Sequence, residues 1–372
     1  MTVRTAAVLL SATAAVATLA GCGGESAPKA GGKPLPPVNA QAASLREGFT
    51  TMDRLVEAAK KEGSLTVIGL PHDWVNYGGV IGAFSDKYGI KVTELEPRAS
   101  SRREIDAAAQ AAREGKTAAV PDVFDLGLDV AVANAGRFAR YRVQTWQDIP
   151  DELKDHEGAW YAGYGGYMSI GYDPRKVPAP ASFADLLKPG YAVTLPGSPL
   201  STAAAFNGVM AASMSSGAAK AERGVRFFAR LKEAGNLVTT GARPPKPANT
   251  AVDWDHLNAA RAAREGEGWK VVIPRDAALA SYYVQAINKN APHPAAARLW
   301  QEFLFSDEGQ NLFLAGFARP SRLEALRMRG TINEEAAAKL PPAPAGRPAV
   351  LTIPETDAAK TYLRQSWPKQ IG

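Results

Sequence analysis

SLTVIGLPHDWVNYGGVIGAFSDKYGIKVTELE, residues 64–96, is the stretch that decides the fold class. Its two ends, 64–70 and 90–96, are short apolar runs typical of buried strands, and residues 80–88 between them have the pattern of a helix. A second helix at 101–115 and a third apolar run, PDVFDLG, continue the alternation. This order of strands and helices predicts a parallel, doubly wound α/β sheet, which binds ligands at the carboxyl ends of its strands.

The same alternation returns later in the chain. Residues 158–174, rich in Gly and Tyr, predict one or two strands, and a second α/β set follows from residue 181. The run SYYVQAINKN predicts another strand, and two amphipathic helices come after it, the second capped near Ser306 or Asp307. A body of residues 46–372 is long for one hydrophobic core. We therefore expect two doubly wound α/β lobes, with the chain crossing between them near residues 158–174.

The first 45 residues predict export and a tether. One charge, Arg4, precedes a long run of Ala, Val, Leu, Ser and Thr, which predicts a signal peptide over residues 1–21. LAGC at 19–22 resembles the lipobox of bacterial lipoproteins, in which the cysteine is acylated and becomes the new N-terminus. Cys22 is the only cysteine, so we expect lipidation there; an ordinary signal with an incidental cysteine is the alternative. Residues 22–45, rich in Gly, Pro, Ser, Ala and Lys, predict a flexible, lipid-anchored tether.

Composition argues against several functional classes. The formal net charge is +6 over 372 residues, with the basic residues scattered, so nucleic-acid binding is not expected. No Walker A, GxSxG or HExxH motif is present. The four histidines lie far apart, which gives no metal-ligand spacing. An extracytoplasmic hydrolase, with Asp253 and Asp255 as its acid pair, stays open as an alternative.

Several stretches resemble the extracellular solute-binding proteins of bacterial ABC importers. These are periplasmic binding proteins of the second structural type, in the group that takes ferric iron, polyamines, thiamine and phosphonates. The likeness covers roughly residues 50–325, in the order and spacing of that family. It is carried by EAAKKEGSLTVIGLP (57–71), IGAFSDKYGIKV (81–92), PDVFDLGLD (121–129) and the run from VIPRDAALASYYV to FARP (272–320).

The resemblance implies a mechanism of capture and no catalysis. Two lobes would close on a small solute by hinge bending, and the loaded protein would dock on ABC permease subunits in the membrane. The implied protein is a monomer without a cofactor, anchored through its lipid to the outer face of the cell membrane or located in the periplasm.

The resemblance also implies where the lobes lie. Lobe 1 would be formed by residues 46–165 and 275–330, and lobe 2 by residues 166–274. Hinge strands are expected near Tyr167–Asp173 and Val271–Pro274. The Pro-rich segment 331–372 would pack on the body.

The loop after the first strand is the first candidate site. PHDWVNYGG offers a carboxylate, two aromatic faces and hydrogen-bonding groups at the carboxyl end of that strand, from His72, Asp73, Trp74, Asn76 and Tyr77. Packing of the Trp into the core and helix capping by the Asp are the structural alternative.

VDWD at 252–255 is the second candidate. It places Trp254 between Asp253 and Asp255, and Trp254 resembles a Trp that stacks on the ligand in polyamine-binding relatives. Carboxylates beside an aromatic face suit a cation. Capping of the helix that starts near His256 by one of the Asp residues is the alternative.

The remaining candidates suit an anion or iron. Tyr282 and Tyr283 resemble the phenolate pair of ferric-binding relatives, although neighbours on a strand point to opposite faces. Ser201 and Thr202, at the head of a predicted helix, could hold an anion or act as simple caps. Acidic, aromatic and anion-binding groups together favour a cationic or zwitterionic organic solute, with ferric iron as the alternative.

Overall fold

The computed structural model describes residues 35–214, 217–238 and 247–372. Residues 37–372 form one unit. The predicted signal peptide, the lipidation site Cys22 and the start of the tether lie outside the described residues.

Ten strands form the framework of the fold within this part of the chain. They are β1 (Ser64–Ile68), β2 (Lys91–Leu95), β3 (Val123–Gly127), β4 (Phe138–Ala139), β5 (Tyr161–Tyr172), β6 (Val193–Thr194), β7 (Thr250–Trp254), β8 (Lys270–Val272), β9 (Ala280–Asn288) and β10 (Arg319–Pro320).

The α-helices alternate with these strands. They are α1 (Leu45–Gly48), α2 (Met52–Glu62), α3 (Tyr77–Tyr88), α4 (Ser101–Arg113), α5 (Leu128–Ala133), α6 (Ala203–Ala212), α7 (Ala221–Glu233), α8 (Asp255–Glu265), α9 (Pro294–Leu304), α10 (Asp307–Ala315), α11 (Leu323–Arg329), α12 (Glu334–Ala338) and α13 (Ile353–Gln370). Short 3₁₀ turns occupy Thr117–Ala119, Ala135–Arg137, Trp146–Asp148, Asp151–Leu153, Phe183–Leu187 and Gly266–Gly268.

Helix ends follow the local sequence signals. The Thr51 side chain accepts a hydrogen bond from the Arg54 amide at the start of α2, and Gly63 ends that helix in the left-handed region, with φ 74°. The Ser306 hydroxyl accepts from the Gly309 amide 3.1 Å away at the start of α10. The cap predicted near Ser306 is confirmed.

The main path through the sheet runs β2-β1-β3-β9-β5-β7-β6. β1 pairs in parallel with β2 and β3, as the first stretch of sequence predicts, while β9 is antiparallel to both β3 and β5. β6 and β7 are parallel in the other part of the sheet. Since β9 returns to β3 from the far end of the chain, the first part of the sheet is built from two separated segments.

β5 is shared by the two parts of the sheet. It pairs with β9 as far as Tyr167 and with β7 from Met168 onward. We call the strands β1–β4, β9 and β10 with α2–α5, α9 and α10 the first half, and β6–β8 with α6–α8 and α13 the second half. The change of partner falls where the sequence predicts a hinge strand; that β5 bends there remains a prediction.

Each half has its own apolar core. In the first half one core lies under α2, α3 and α9, around Phe84, Trp300 and Phe303, and another covers the opposite face of the sheet around Phe124. The core of the second half gathers around Phe228 and Met168. Trp74 and Tyr283 pack against both of the larger cores, so they lie where the two halves meet.

The C-terminal segment contains a helix that sequence patterns missed. The sequence predicts only that the Pro-rich segment 331–372 packs on the body and predicts no helix there. The structure has α13, which begins with a capping box between Thr352 and Glu355 and extends to Gln370. Trp367 of this helix packs on Phe228 of α7, with ring centroids 5.5 Å apart. The last turns of the chain are therefore part of the core of the second half.

The folded body also begins earlier than predicted. Ala42 and Leu45 are buried, and the Arg298 Nε group donates to the Ala42 carbonyl at 2.9 Å. The tether boundary at residue 45 is therefore too late by several residues. None of the helices in the described ranges is long and apolar enough to cross a membrane.

Candidate functional site

A narrow cavity of about 50 Å³ lies between the two halves. It is found at the carboxyl end of β3, at the end of β7 and at the start of β9, the edge at which doubly wound sheets bind ligands. A volume of this size holds a few water molecules. Its lining comes from Gly127, Leu128, Asp129, Ala203, Phe206, Asn207, Trp254, Ala280, Ser281, Tyr282, Tyr283, Val350, Leu351, Ile353, Thr356 and Lys360.

An ion pair crosses the cavity from one half to the other. The Lys360 ammonium of α13 lies 2.5 Å from Asp129 Oδ2 at the start of α5, and the two side chains are 35% and 29% exposed. The same ammonium lies 5.4 Å from the centre of the Phe206 ring. Among the described residues, the cavity thus has one positive and one negative group in its wall, both reachable by water.

Aromatic side chains form the floor beside the cavity. Trp74 meets Tyr283 edge to face at a centroid distance of 5.3 Å and His256 at 5.5 Å. Tyr283 in turn stacks on Tyr164 at 5.5 Å. His256 also stacks on Trp254, with centroids 6.2 Å apart. Because Trp74 belongs to the first half and His256 to the second, this cluster closes the base of the cleft.

A buried polar network fixes the position of Trp74. Its indole N–H donates to the Tyr164 hydroxyl at 2.7 Å, and that hydroxyl donates to Asp125 Oδ2, also at 2.7 Å. The Gln285 amide donates to Asp125 Oδ1 at 2.7 Å and to the Tyr77 hydroxyl at 3.1 Å. Burial raises the pKa of Asp125 to about 7, against the effect of these hydrogen bonds.

Asp255 serves the structure at this boundary. Its side chain is fully buried, and Arg319 Nε lies 3.1 Å from Oδ2. Oδ1 accepts from the backbone amides of Tyr167 and His256, both at 3.0 Å. Asp255 is therefore saturated by the protein and does not line the cavity.

His256 and Asp253 flank Trp254 and Asp255 in the sequence and are also buried or paired with the backbone. Both ring nitrogens of His256 are buried and have no hydrogen-bond partner among the described residues, and Asp255 Oδ1 lies 3.8 Å from Nδ1. Asp253 accepts a hydrogen bond from the Trp254 amide at 2.8 Å, and burial raises the pKa of its carboxyl to about 6.

The loop after β1 contributes less than predicted. His72 and Asp73 are exposed and engage surface partners, Glu94 at 2.8 Å and Arg98 at 3.3 Å. Asn76 donates to the Leu312 carbonyl, and Tyr77 belongs to the network under Trp74. His72 and Asp73 do not line the cavity, and their role in ligand binding stays a prediction.

The other predicted site residues also divide into those that line the cavity and those that do not. Trp254 and the two tyrosines of β9 line the cavity, whereas Ser201 and Thr202 do not, although the next residue, Ala203, does. Thr202 holds the cap position of α6 without a side-chain capping bond. Ser201 is exposed.

Tyr282 and Tyr283 point to opposite faces of β9. Tyr282 packs with the core around Phe124, whereas Tyr283 packs at the boundary of the halves. The structure therefore does not bring the two phenols together as an iron-binding pair. In the described ranges, no group of three or more His, Cys, Asp and Glu side chains is arranged to hold a metal ion.

Sequence reasoning missed several residues of the site. Asp125 and Asp129 lie at the end of the third predicted strand and just after it, so the rule that selected the first loop would also have selected them. Asn207 and Lys360 line the cavity from helices without a recognisable motif.

Comparisons with known proteins agree with this architecture. The sequence model of a family described as "Bacterial extracellular solute-binding protein" matches residues 121–350, more than half of the chain. None of the curated proteins compared with the chain matches it significantly.

Three solved structures illustrate the likeness in fold. Iron-bound HitA from Pseudomonas aeruginosa is 21% identical, with a TM-score of 0.58 over 82% of this chain and 98% of that chain. AfuA from Actinobacillus pleuropneumoniae, with fructose-6-phosphate bound, is 15% identical, with a TM-score of 0.58 over 83% and 98%. An ABC transporter substrate-binding protein from Bradyrhizobium japonicum is 14% identical, with a TM-score of 0.61 over 83% and 100%. The predicted α/β fold is confirmed, and identities this low show the fold alone.

Proposed function

Because the chain belongs to the bacterial extracellular solute-binding family, whose members are the substrate-binding components of ABC transporters, we propose that it captures a small zwitterionic organic solute between its halves. The observation that carries this proposal is the Lys360–Asp129 ion pair, which crosses the cavity amid aromatic side chains.

A partly exposed ion pair is easily exchanged for a ligand. Such pairs contribute roughly 0–1 kcal/mol, because water screens them. A solute with an anionic and a cationic group could take the place of the pair, with its anion on Lys360 and its cation on Asp129. Both protein charges stay matched in the bound state, so the exchange leaves no charge unpaired.

The balance of charge distinguishes a zwitterion from a simple cation. Asp255 is neutralised by Arg319, and Asp129 is balanced by Lys360. Asp253 has no cationic partner within the described ranges, but it does not line the cavity. A polyamine would bring charge that the cavity wall does not balance, whereas a zwitterion would not.

The aromatic residues fit the organic part of such a solute. Tyr283, Trp254 and Phe206 line the cavity and would pack on aliphatic or ring carbons. Asn207 offers an amide at the same wall. Opening of the halves around β5 would admit the solute, and interactions that form only on closure would favour the closed form.

A thermal-shift screen tests the class of solute. The purified protein is mixed with amino acids, aminoalkyl phosphonates, polyamines, thiamine, sugar phosphates and ferric citrate. A ligand at a hundred times its Kd adds about 2.7 kcal/mol, and we expect only zwitterions to give such a shift. A shift with polyamines alone, or a coloured tyrosinate complex with iron, would overturn the proposal.

We also propose that Cys22 anchors the protein to the outer face of the cell membrane. The lipobox-like LAGC at 19–22, with no other cysteine in the chain, supports this. Cells grown with labelled palmitate should label the protein, and Cys22→Ser should abolish the label and release the protein into the soluble fraction. Labelling that persists in the variant would contradict the anchor.

A further inference from the structure

A second concave site lies at the opposite end of the first half from the cleft. This groove has a volume of about 380 Å³ and is formed by α4, the turn before β4 and the end of β9. It contacts Val120 and Phe124 at the amino end of β3, whereas the cleft is lined by Gly127 at the carboxyl end. Phe124 and Gly127 are three residues apart on β3, so about 10 Å of strand separates the two sites.

Three positive side chains stand around the groove, and no acidic side chain of the described residues lines it. They are Arg113, Arg137 and Lys289, all exposed. In the described part of the chain none of the three forms an ion pair with an acidic group. The nearest acidic neighbour in sequence, Glu114, is taken by Lys116 at 2.7 Å.

Two of these cations are held opposite each other by the backbone. β4 pairs with β9 so that Phe138 faces Asn288, which places the preceding Arg137 across from Lys289. The Lys289 amide donates to the Arg137 carbonyl at 2.9 Å, which fixes that register. Both side chains line the groove, so this register puts two cations where one anion could contact both.

The base of the groove is apolar. Ile105 and Ala112 of α4 line it together with Val120 and Phe124, and Phe124 is almost fully buried. The volume falls in the range of small-molecule sites, which are mostly apolar with a few polar groups that orient the ligand.

We propose that this groove binds an anion with a short apolar chain, of the alkyl phosphate or alkyl carboxylate class. The anionic head would lie between Arg137 and Lys289, with Arg113 at the rim. The chain would lie along α4 on Phe124. This site is independent of the cleft and does not rest on the solute proposed there.

Calorimetric titration of the full-length protein with hexyl phosphate tests the proposal. We expect saturable binding that weakens with rising salt, with inorganic phosphate and hexanol each binding at least about tenfold more weakly because each lacks one half of the recognition. Equal binding of inorganic phosphate and hexyl phosphate would overturn the proposal.

Variants locate the binding. Arg137→Gln with Lys289→Gln should weaken hexyl phosphate binding at least about tenfold, and Ala112→Leu should weaken it by filling the groove. Lys369→Gln, which removes an equally exposed lysine far from the groove, should change nothing. Unchanged affinity in the double variant, or loss of affinity in Lys360→Met, would place the ligand elsewhere and overturn the proposal.

A second experiment distinguishes a membrane lipid from a free metabolite as the source of the anion. Binding of the protein to vesicles of phosphatidylglycerol is compared with its binding to vesicles of phosphatidylcholine. The comparison shows whether the groove binds a lipid headgroup. Vesicle binding that requires Arg137 and Lys289 supports a membrane lipid as the source of the anion. Binding of hexyl phosphate without binding of vesicles supports a free metabolite.

Discussion

Among the described residues, two ion pairs join the halves of the molecule, and they differ in how far water reaches them. Asp255 is fully buried, and the Arg319 side chain paired with it is only 15% exposed. Lys360 and Asp129, in contrast, are 35% and 29% exposed. The buried pair also receives two backbone amides on its carboxylate, whereas the exposed pair lines the cavity.

The difference assigns the two pairs different roles. A buried ion pair contributes little net energy when intact, but removing one partner leaves an uncompensated charge in a poorly solvated place. An exposed pair can lose either partner at little cost, because water takes its place. We infer that Asp255 and Arg319 hold the boundary together and that Lys360 and Asp129 are free to exchange their mutual hydrogen bond for a solute.

The largest effect should come from breaking the buried pair. Asp255→Asn keeps the shape of the side chain but leaves the Arg319 charge without a partner. We expect the free energy of unfolding to fall by about 3 kcal/mol or more, measured by urea denaturation with circular dichroism.

A matched control uses the exposed pair of the first loop. Asp73→Asn removes a carboxylate 3.3 Å from Arg98, both side chains being mostly exposed, and should cost less than about 0.5 kcal/mol. Adding Arg319→Met to Asp255→Asn should recover part of the loss, because no buried charge remains. Similar losses for the two single variants would refute the contrast between buried and exposed pairs.

A third carboxylate, Asp125, shows another way of neutralising a buried acid. It has no cationic partner in the described part of the chain, and burial raises its pKa in the folded protein to about 7, against about 3.9 in the unfolded chain. Between these values the folded state holds a proton that the unfolded state has lost. Stability from this group is full below the unfolded pKa and is lost as the pH rises through about 7.

Asp125→Asn isolates this effect. From pH 5 to pH 6 the stability of the natural protein relative to the variant should fall by about 1 kcal/mol, measured by urea denaturation at both pH values. Comparing the two proteins cancels the contributions of the other titrating groups. A difference in stability that stays constant with pH would show that Asp125 is ionised in the fold at pH 5.

The fold was predictable from sequence because its signals are local. The apolar runs of β1, β2 and β3 and the cap of α10 each depend on a few neighbouring residues, and the parallel order follows from the alternation of strands and helices. The edge of the sheet that forms the site was predictable for the same reason, since ligands bind at the carboxyl ends of such strands.

Which side chains face the cleft was not predictable from local sequence. PHDW and VDWD have similar composition, but Asp73 lies at the surface with Arg98, whereas Asp255 is buried with Arg319. Each outcome depends on a distant partner. Lys360 is an extreme case, because 231 residues separate it from Asp129.

A small effect on stability, and the most specific effect on binding, should come from the exposed pair across the cavity. Lys360→Met keeps an unbranched side chain and removes the charge, which lies 5.4 Å from the centre of the Phe206 ring. We expect the free energy of unfolding to fall by less than about 1 kcal/mol. Affinity for a zwitterionic solute should fall about tenfold or more, because a charge-assisted hydrogen bond to its anionic group is lost.

Two further variants show whether Lys360→Met affects binding of the solute or the stability of the fold. Lys369→Met on the same helix removes an exposed lysine away from the cavity and should change neither quantity. Asp129→Asn should reduce zwitterion affinity like Lys360→Met, while affinity for an anionic analogue without the amino group should not fall. If Lys360→Met destabilised the fold as much as Asp255→Asn, the pair across the cavity would be structural and the site for exchange would lie elsewhere. Because the two ion pairs span the same boundary between the halves, that result would also mean that exposure to water does not decide which of them can open.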